Sequence, residues 1–168
     1  QTRGDDPGQE PGLVLIMSDV LRFAGAIASS LAAIAWDRVL ALGLAEREGI
    51  PDGAKAIDVP WLNAALGESF PRVRVKSVCL RGGHSGTTTR ERLEPAFEPD
   101  GNPDGLPASL FLKITPSELG PRLFGSVLEL GPSEVNFYRE IGDQVPTPIP
   151  RCFVARSARH GGRFVLLL

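Results

Sequence analysis

The chain has 168 residues, 42% hydrophobic and 23% charged, a balance typical of one globular domain with a core and not of a disordered segment. Its formal net charge of -2, with no run of lysine or arginine, argues against a nucleic-acid partner, because such binding depends on neutralising phosphates. Cys79 and Cys152 lack metal-ligand spacing, so we expect neither a metal site nor a disulfide, but two buried thiols in a reducing cytoplasm.

Residues 1–58 are predicted to form a helical leader. Its apolar stretch, 13–36, is interrupted by Asp19, Arg22 and the Ser29-Ser30 pair. These interruptions favour an amphipathic or buried helix over a membrane span, with a signal peptide as the alternative. A further helix is predicted over 35–48, ending at Gly49. We therefore expect a cytoplasmic protein without a membrane partner.

Residues 59–168 are predicted to form one compact α+β unit that begins with a short helix from Pro60 to Leu66. Five later segments have the composition of β-strands, and the first of them alternates apolar and polar residues with the period of a half-buried strand. These segments are 73–80, 87–93, 108–114, 151–155 and 163–168. They predict a five-stranded, mainly antiparallel sheet with one helix, whose firm part is 132–141, inserted after the third strand.

The last predicted strand is an apolar run that ends at Leu168 without a polar tail, and the first residue is Gln1. We therefore expect the chain to be a fragment of a longer protein. The link between the first two strands is Arg81-Gly82-Gly83-His84-Ser85-Gly86, which is not a Walker A motif because no Gly-Lys-Ser/Thr follows. A plain hairpin turn is one interpretation of this glycine segment.

Two charged residues of this unit, Lys113 and Glu134, have structural interpretations that do not require a functional site. Lys113 stands between Leu112 and Ile114 in an apolar strand, so it either extends outward or has an internal partner, since an unpaired buried ammonium is costly. Glu134 lies in the first turn of the predicted helix, where a carboxylate suits the helix dipole and simple capping would explain it.

Six segments together resemble the amino-terminal lobe of a known superfamily. They are Pro60-Trp61-Leu62, the Gly-Gly-His-Ser-Gly segment, Ser109 to Lys113, Glu134 to Glu140, Pro148 to Cys152 and Phe164 to Leu168. In order and spacing they resemble the aminoglycoside phosphotransferase and choline kinase-like superfamily, which has a protein kinase-like fold, and particularly its ecdysteroid kinase-like branch.

The resemblance implies an ATP site. Lys113 matches the lysine that contacts the nucleotide phosphates, and Glu134, rather than its rival Glu140, matches the helix carboxylate that orients this lysine. Gly82, Gly83, Ser85 and Gly86 match the loop over the phosphates. The final strand would lead to the hinge that meets the adenine.

The function implied by the resemblance is transfer of the ATP γ-phosphate to a hydroxyl of a small-molecule alcohol. The Mg²⁺ ligands and the catalytic base belong to a carboxy-terminal lobe in this superfamily, so we expect no catalytic or metal-binding residue in this chain and no turnover by it alone. The acceptor stays open among aminoglycosides, choline-like amines, sugars and steroid alcohols. A noncatalytic nucleotide-binding or protein-interaction module from a truncated gene is the alternative.

Overall fold

The computed structural model describes residues 11–40, 49–158 and 162–168. Its five strands form one antiparallel sheet in the order β1-β2-β3-β5-β4. They are β1 Val75–Ser85, β2 Thr89–Phe97, β3 Leu110–Ile114, β4 Val154–Ser157 and β5 Phe164–Leu167. The helices are α1 Pro11–Leu40, α2 Val59–Gly67, α3 Leu119–Val127 and α4 Leu130–Asn136. The predicted α+β class, with a five-stranded antiparallel sheet preceded by a helix, is confirmed.

The middle of the sheet is covered on both faces. On one face, Leu110, Leu112 and Ile114 of β3 belong to the main core, together with residues of α2 and of the 50–57 segment. On the other face, a smaller cluster joins Val135 of α4 to β5. All four residues of β5 are buried, as the apolar run at 163–168 predicted.

Helix α2 begins where the sequence predicted it. The Asp58 side chain accepts a hydrogen bond from the Trp61 backbone N–H at 2.8 Å and so caps the helix. Asn63 on this helix fixes the start of β1 with two bonds, because its Oδ1 accepts from the Val75 N–H at 2.8 Å and its Nδ2 donates to the Val75 carbonyl at 3.0 Å. This amide therefore sets the position of α2 against the sheet.

The β1–β2 hairpin is longer than the sequence predicted. Strand β1 continues through Gly82, Gly83 and Ser85, so the prediction of a linker over 81–86 was wrong for these residues, and only Gly86 lies in the turn. A register shift between Arg81 and Gly83 places a bulge at Gly82, whose φ of 52° is accessible to glycine at little cost. The bulge bends the strand without ending it.

The segment between β3 and β4 contains two helices and not a single one. Helix α3 ends before Glu129, which adopts a left-handed φ of 50°, and α4 then starts in a new direction. The predicted helix over 132–141 corresponds to the end of α4 and the π-helical turn Phe137–Ile141 that follows it.

Helix α1 runs continuously across the predicted boundary near residue 36, and residues 41–48 of the second predicted helix lie outside the described part of the chain. Ile34 is buried, but most of the apolar side chains described on α1 are exposed, Phe23 and Trp36 among them, so burial of this helix is not what the structure shows. By length and composition alone, Ile16–Trp36 could cross a membrane. Core helices of soluble proteins and signal sequences meet the same two criteria. The absence of a membrane partner stays a prediction.

Asn63→Ala tests the two hydrogen bonds that join Asn63 of α2 to Val75 at the start of β1. The substitution leaves both backbone groups of the buried Val75 without their partner, so we expect a loss of about 1–3 kcal/mol in the free energy of unfolding. Urea denaturation measures it, with the exposed Asn136→Ala as the matched control. Equal stabilities of the two variants would contradict this role of Asn63.

Candidate functional site

Lys113 and Glu134 form an ion pair on the α4 side of the sheet. Lys113 Nζ donates to Glu134 Oε1 at 2.5 Å and also contacts Oε2. The side chains are 16% and 28% exposed, which places the pair in a partly dry position. Because Leu112 and Ile114 fill the core on the opposite face, the alternation of β3 directs Lys113 toward α4. The interpretation of Lys113 as an internally paired lysine is the one that the structure shows.

The close approach of α4 to β5 positions Glu134. A side chain at Gly131 would overlap the ring of Phe164, so only glycine permits this separation of helix and strand. Val135, one helical turn beyond Gly131, is fully buried in the same interface. Glu140 lies in the π-helical turn and is exposed, and Lys113 pairs with Glu134 instead, as the resemblance implied.

A cleft of about 450 Å³ opens beside the ion pair. Its wall combines the two charged side chains with Phe111 of β3, Pro150 and Leu168, which give it an apolar side. Arg92 of β2 and Ser109 complete the polar side, and Arg92 Nε donates to Ser109 Oγ at 2.8 Å. The cleft therefore offers both an apolar surface and anchored charges, as sites for small ligands commonly do.

The glycine segment lies near this cleft but does not line it. His84 of β1 is aligned with Arg90 of β2, and Arg90 with Lys113, so the segment occupies the same region of the sheet. None of Gly82, Gly83, Ser85 and Gly86 is among the described residues that form the cleft wall. Ser85 Oγ instead lies 3.3 Å from Glu118 Oε2, beside the start of α3.

Arg92 and Phe111 were not predicted as site residues. Phe111 could have been found from the strand period, since it is two residues before Lys113 and thus shares its face. Arg92 required the pairing register as well, because only the alignment of Arg92 with Phe111 brings it to the cleft.

Two ionisable groups near α4 are shifted by burial. Burial raises the pKa of Tyr138, and the negative charge of Glu134 adds to this effect. Burial also raises the pKa of Cys152 to about 11, against a smaller opposing effect of its hydrogen bond with Val154. Both residues line a second cavity of about 530 Å³ beside β4.

The two cysteines differ in environment. Both are free thiols, but Cys79 is exposed on the edge strand β1, so the expectation of two buried thiols was wrong for this residue.

Within residues 11–40, 49–158 and 162–168, no three His, Cys, Asp or Glu side chains are grouped to hold a metal ion.

Comparisons of the chain with protein-family models, with curated proteins and with solved structures gave no match. The resemblance to the phosphotransferase superfamily therefore stays a prediction.

Gly131→Ala should disrupt the ion pair without changing either charged residue. The added methyl group forces α4 away from Phe164, and overpacking of this kind costs about 1–3 kcal/mol. Thermal unfolding measures the effect, with Gly120→Ala as the control, because nothing lies within 4 Å of a Cβ at Gly120 in α3. Equal melting temperatures for the two variants would contradict the close packing of α4.

The thiols should react at different rates. In the folded protein at pH 8, we expect iodoacetamide to modify Cys79 first, because Cys152 is half-buried and its pKa of about 11 keeps it protonated. Peptide mass spectrometry after timed quenching identifies the modified residue, and denaturant should equalise the two rates. Preferential labelling of Cys152 in the folded state would refute this assignment.

Proposed function

We propose that this chain is the nucleotide-binding part of an ATP-dependent phosphotransferase that acts on a hydroxyl group of a small molecule. The observation that carries the proposal is the Lys113–Glu134 ion pair, which lies at the wall of an open cleft and not at a fully buried or fully exposed position.

The ion pair is suited to hold an anion. A lysine ammonium has three N–H donors, and Glu134 accepts from Lys113 with both carboxylate oxygens, which leaves one donor for a phosphate oxygen in the cleft. Glu134 also orients the ammonium where water is partly excluded, and such preorganised charge is what phosphoryl transfer requires. The apolar side, with Phe111 and Leu168, provides a surface for a nucleobase.

The proposal assigns the remaining chemistry to a carboxy-terminal lobe, as in the superfamily that the sequence resembles. Mg²⁺, when bound, would neutralise charge on the transferred phosphoryl group. The described residues contain no cluster of His, Cys, Asp or Glu that could hold this ion. We place the intact protein in the cytoplasm, with ATP and an alcohol as its substrates.

A noncatalytic nucleotide-binding or protein-interaction module is the second candidate. It is favoured by the edge strands: β1, with 11 residues, and β4 end the sheet on either side, and neither pairs with another described strand along its outer edge. An edge of this length can pair with an extended segment of another protein.

Calorimetric titration with ATP tests the proposal. We expect measurable binding that Lys113→Met weakens about tenfold or more, because a hydrogen bond to a charged group contributes about 1.5–3 kcal/mol. Glu134→Gln should weaken binding less, since it disturbs the orientation of Lys113 but leaves its charge. Lys76→Met, an exposed lysine of β1, is the charge-matched control.

Circular dichroism must show that each variant is folded before its affinity is compared. If the parent chain does not bind ATP at millimolar concentration, or if Lys113→Met and Lys76→Met bind it equally well, the nucleotide role is wrong and the interaction module is favoured.

A further inference from the structure

The net charge of the cleft depends on Arg92. Three of its lining side chains are charged: Arg92, Lys113 and Glu134. Lys113 and Glu134 neutralise one another as an ion pair, so Arg92 accounts for the net positive charge of the lining side chains. An anionic ligand that met the ion pair alone would enter a neutral site.

The strand register places Arg92 within reach of the same ligand as Lys113. Arg92 of β2 is aligned with Phe111 of β3, and Lys113 is two residues beyond Phe111 on the same face. Diagonal neighbours of this kind are about 7–8 Å apart at their Cα atoms in an antiparallel pair. Both long side chains can therefore contact one phosphate group, or two adjacent ones, in the cleft between them.

The guanidinium of Arg92 is held in position but keeps its charge available. Its Nε donates to Ser109 Oγ at 2.8 Å, which fixes one edge of the planar group. Within the described part of the chain, Arg92 has no carboxylate partner, whereas Arg81 on the same face is paired with Glu94 at 3.1 Å. A guanidinium held in this way presents its other N–H groups as a fork that matches two phosphate oxygens.

We propose that Arg92 is a second phosphate-binding residue of the cleft, and that with Lys113 it selects ligands that carry two or more negative charges. It would perform the role that the resemblance implied for Gly82, Gly83, Ser85 and Gly86, which do not line the cleft. The identity of the ligand as a nucleotide rests on the proposed function, but the anion site itself does not.

The test compares Arg92→Gln with Arg81→Gln by calorimetric titration of ATP, adenosine and inorganic tripolyphosphate. Arg81 lies directly opposite Arg92 on the neighbouring strand, so Arg81→Gln measures the effect of losing one positive charge near the cleft. Arg81 does not line the cleft and is paired with Glu94. We expect Arg92→Gln to weaken the binding of ATP and of tripolyphosphate about tenfold or more and to leave the affinity for adenosine unchanged. Arg81→Gln should change each affinity by less than about twofold.

The outcomes separate this inference from the proposed function. If Arg92→Gln and Arg81→Gln bind ATP with equal affinity while Lys113→Met binds it more weakly than the parent chain, the Arg92 assignment fails and the nucleotide site stands. If Arg92→Gln weakens adenosine as much as ATP, Arg92 contacts the base and the assignment also fails. If tripolyphosphate binds through Arg92 but ATP does not bind, the anion site holds and the nucleotide proposal is wrong. If neither ligand binds the parent chain, both are wrong.

Discussion

The rest of the structure depends on the burial of β5 on both of its faces. Val165 and Leu167 belong to the core beside α2, whereas Phe164 and Leu166 belong to the cluster beside α4. A fully buried side chain of this size contributes about 1.5–3 kcal/mol, so these four residues hold both helical layers on one sheet. Strand β3 lies next to β5 and shares this constraint, except that Lys113 interrupts its second face.

A charged residue at that position is not what stability alone would select. Removing a lysine and a carboxylate from water costs several kcal/mol per ion, and attraction between them often only offsets the loss. The surrounding cluster could hold two apolar residues of similar volume instead, because Val135 and Leu166 already pack there. The pair also lies at a cleft and not at the centre of the cluster, and this position supports the proposal that it serves a ligand.

Local patterns predicted the elements that depend on local physics. The apolar run of β5, the largely apolar sequence of β3 and the capped start of α2 each follow from a few adjacent residues. The extent of β1 could not be predicted in this way, because a strand with a bulge at Gly82 and a loop have the same composition. The break at Glu129 gave no signal either, since a glutamate rarely adopts a left-handed conformation. The Lys113–Glu134 pair spans 21 residues and was predicted through the resemblance, not from spacing.

Strand register also explains why one arginine of a facing pair is available to the cleft. Arg81 and Arg92 lie directly opposite one another on β1 and β2, an arrangement that is destabilising for like charges. Glu94 relieves it by binding Arg81, and the pKa of Arg81 is raised chiefly by this hydrogen bond. Ser109 holds Arg92 beside Phe111 at the cleft without neutralising it. The positive charge of the cleft is thus a consequence of how three strands are aligned, which no single sequence motif encodes.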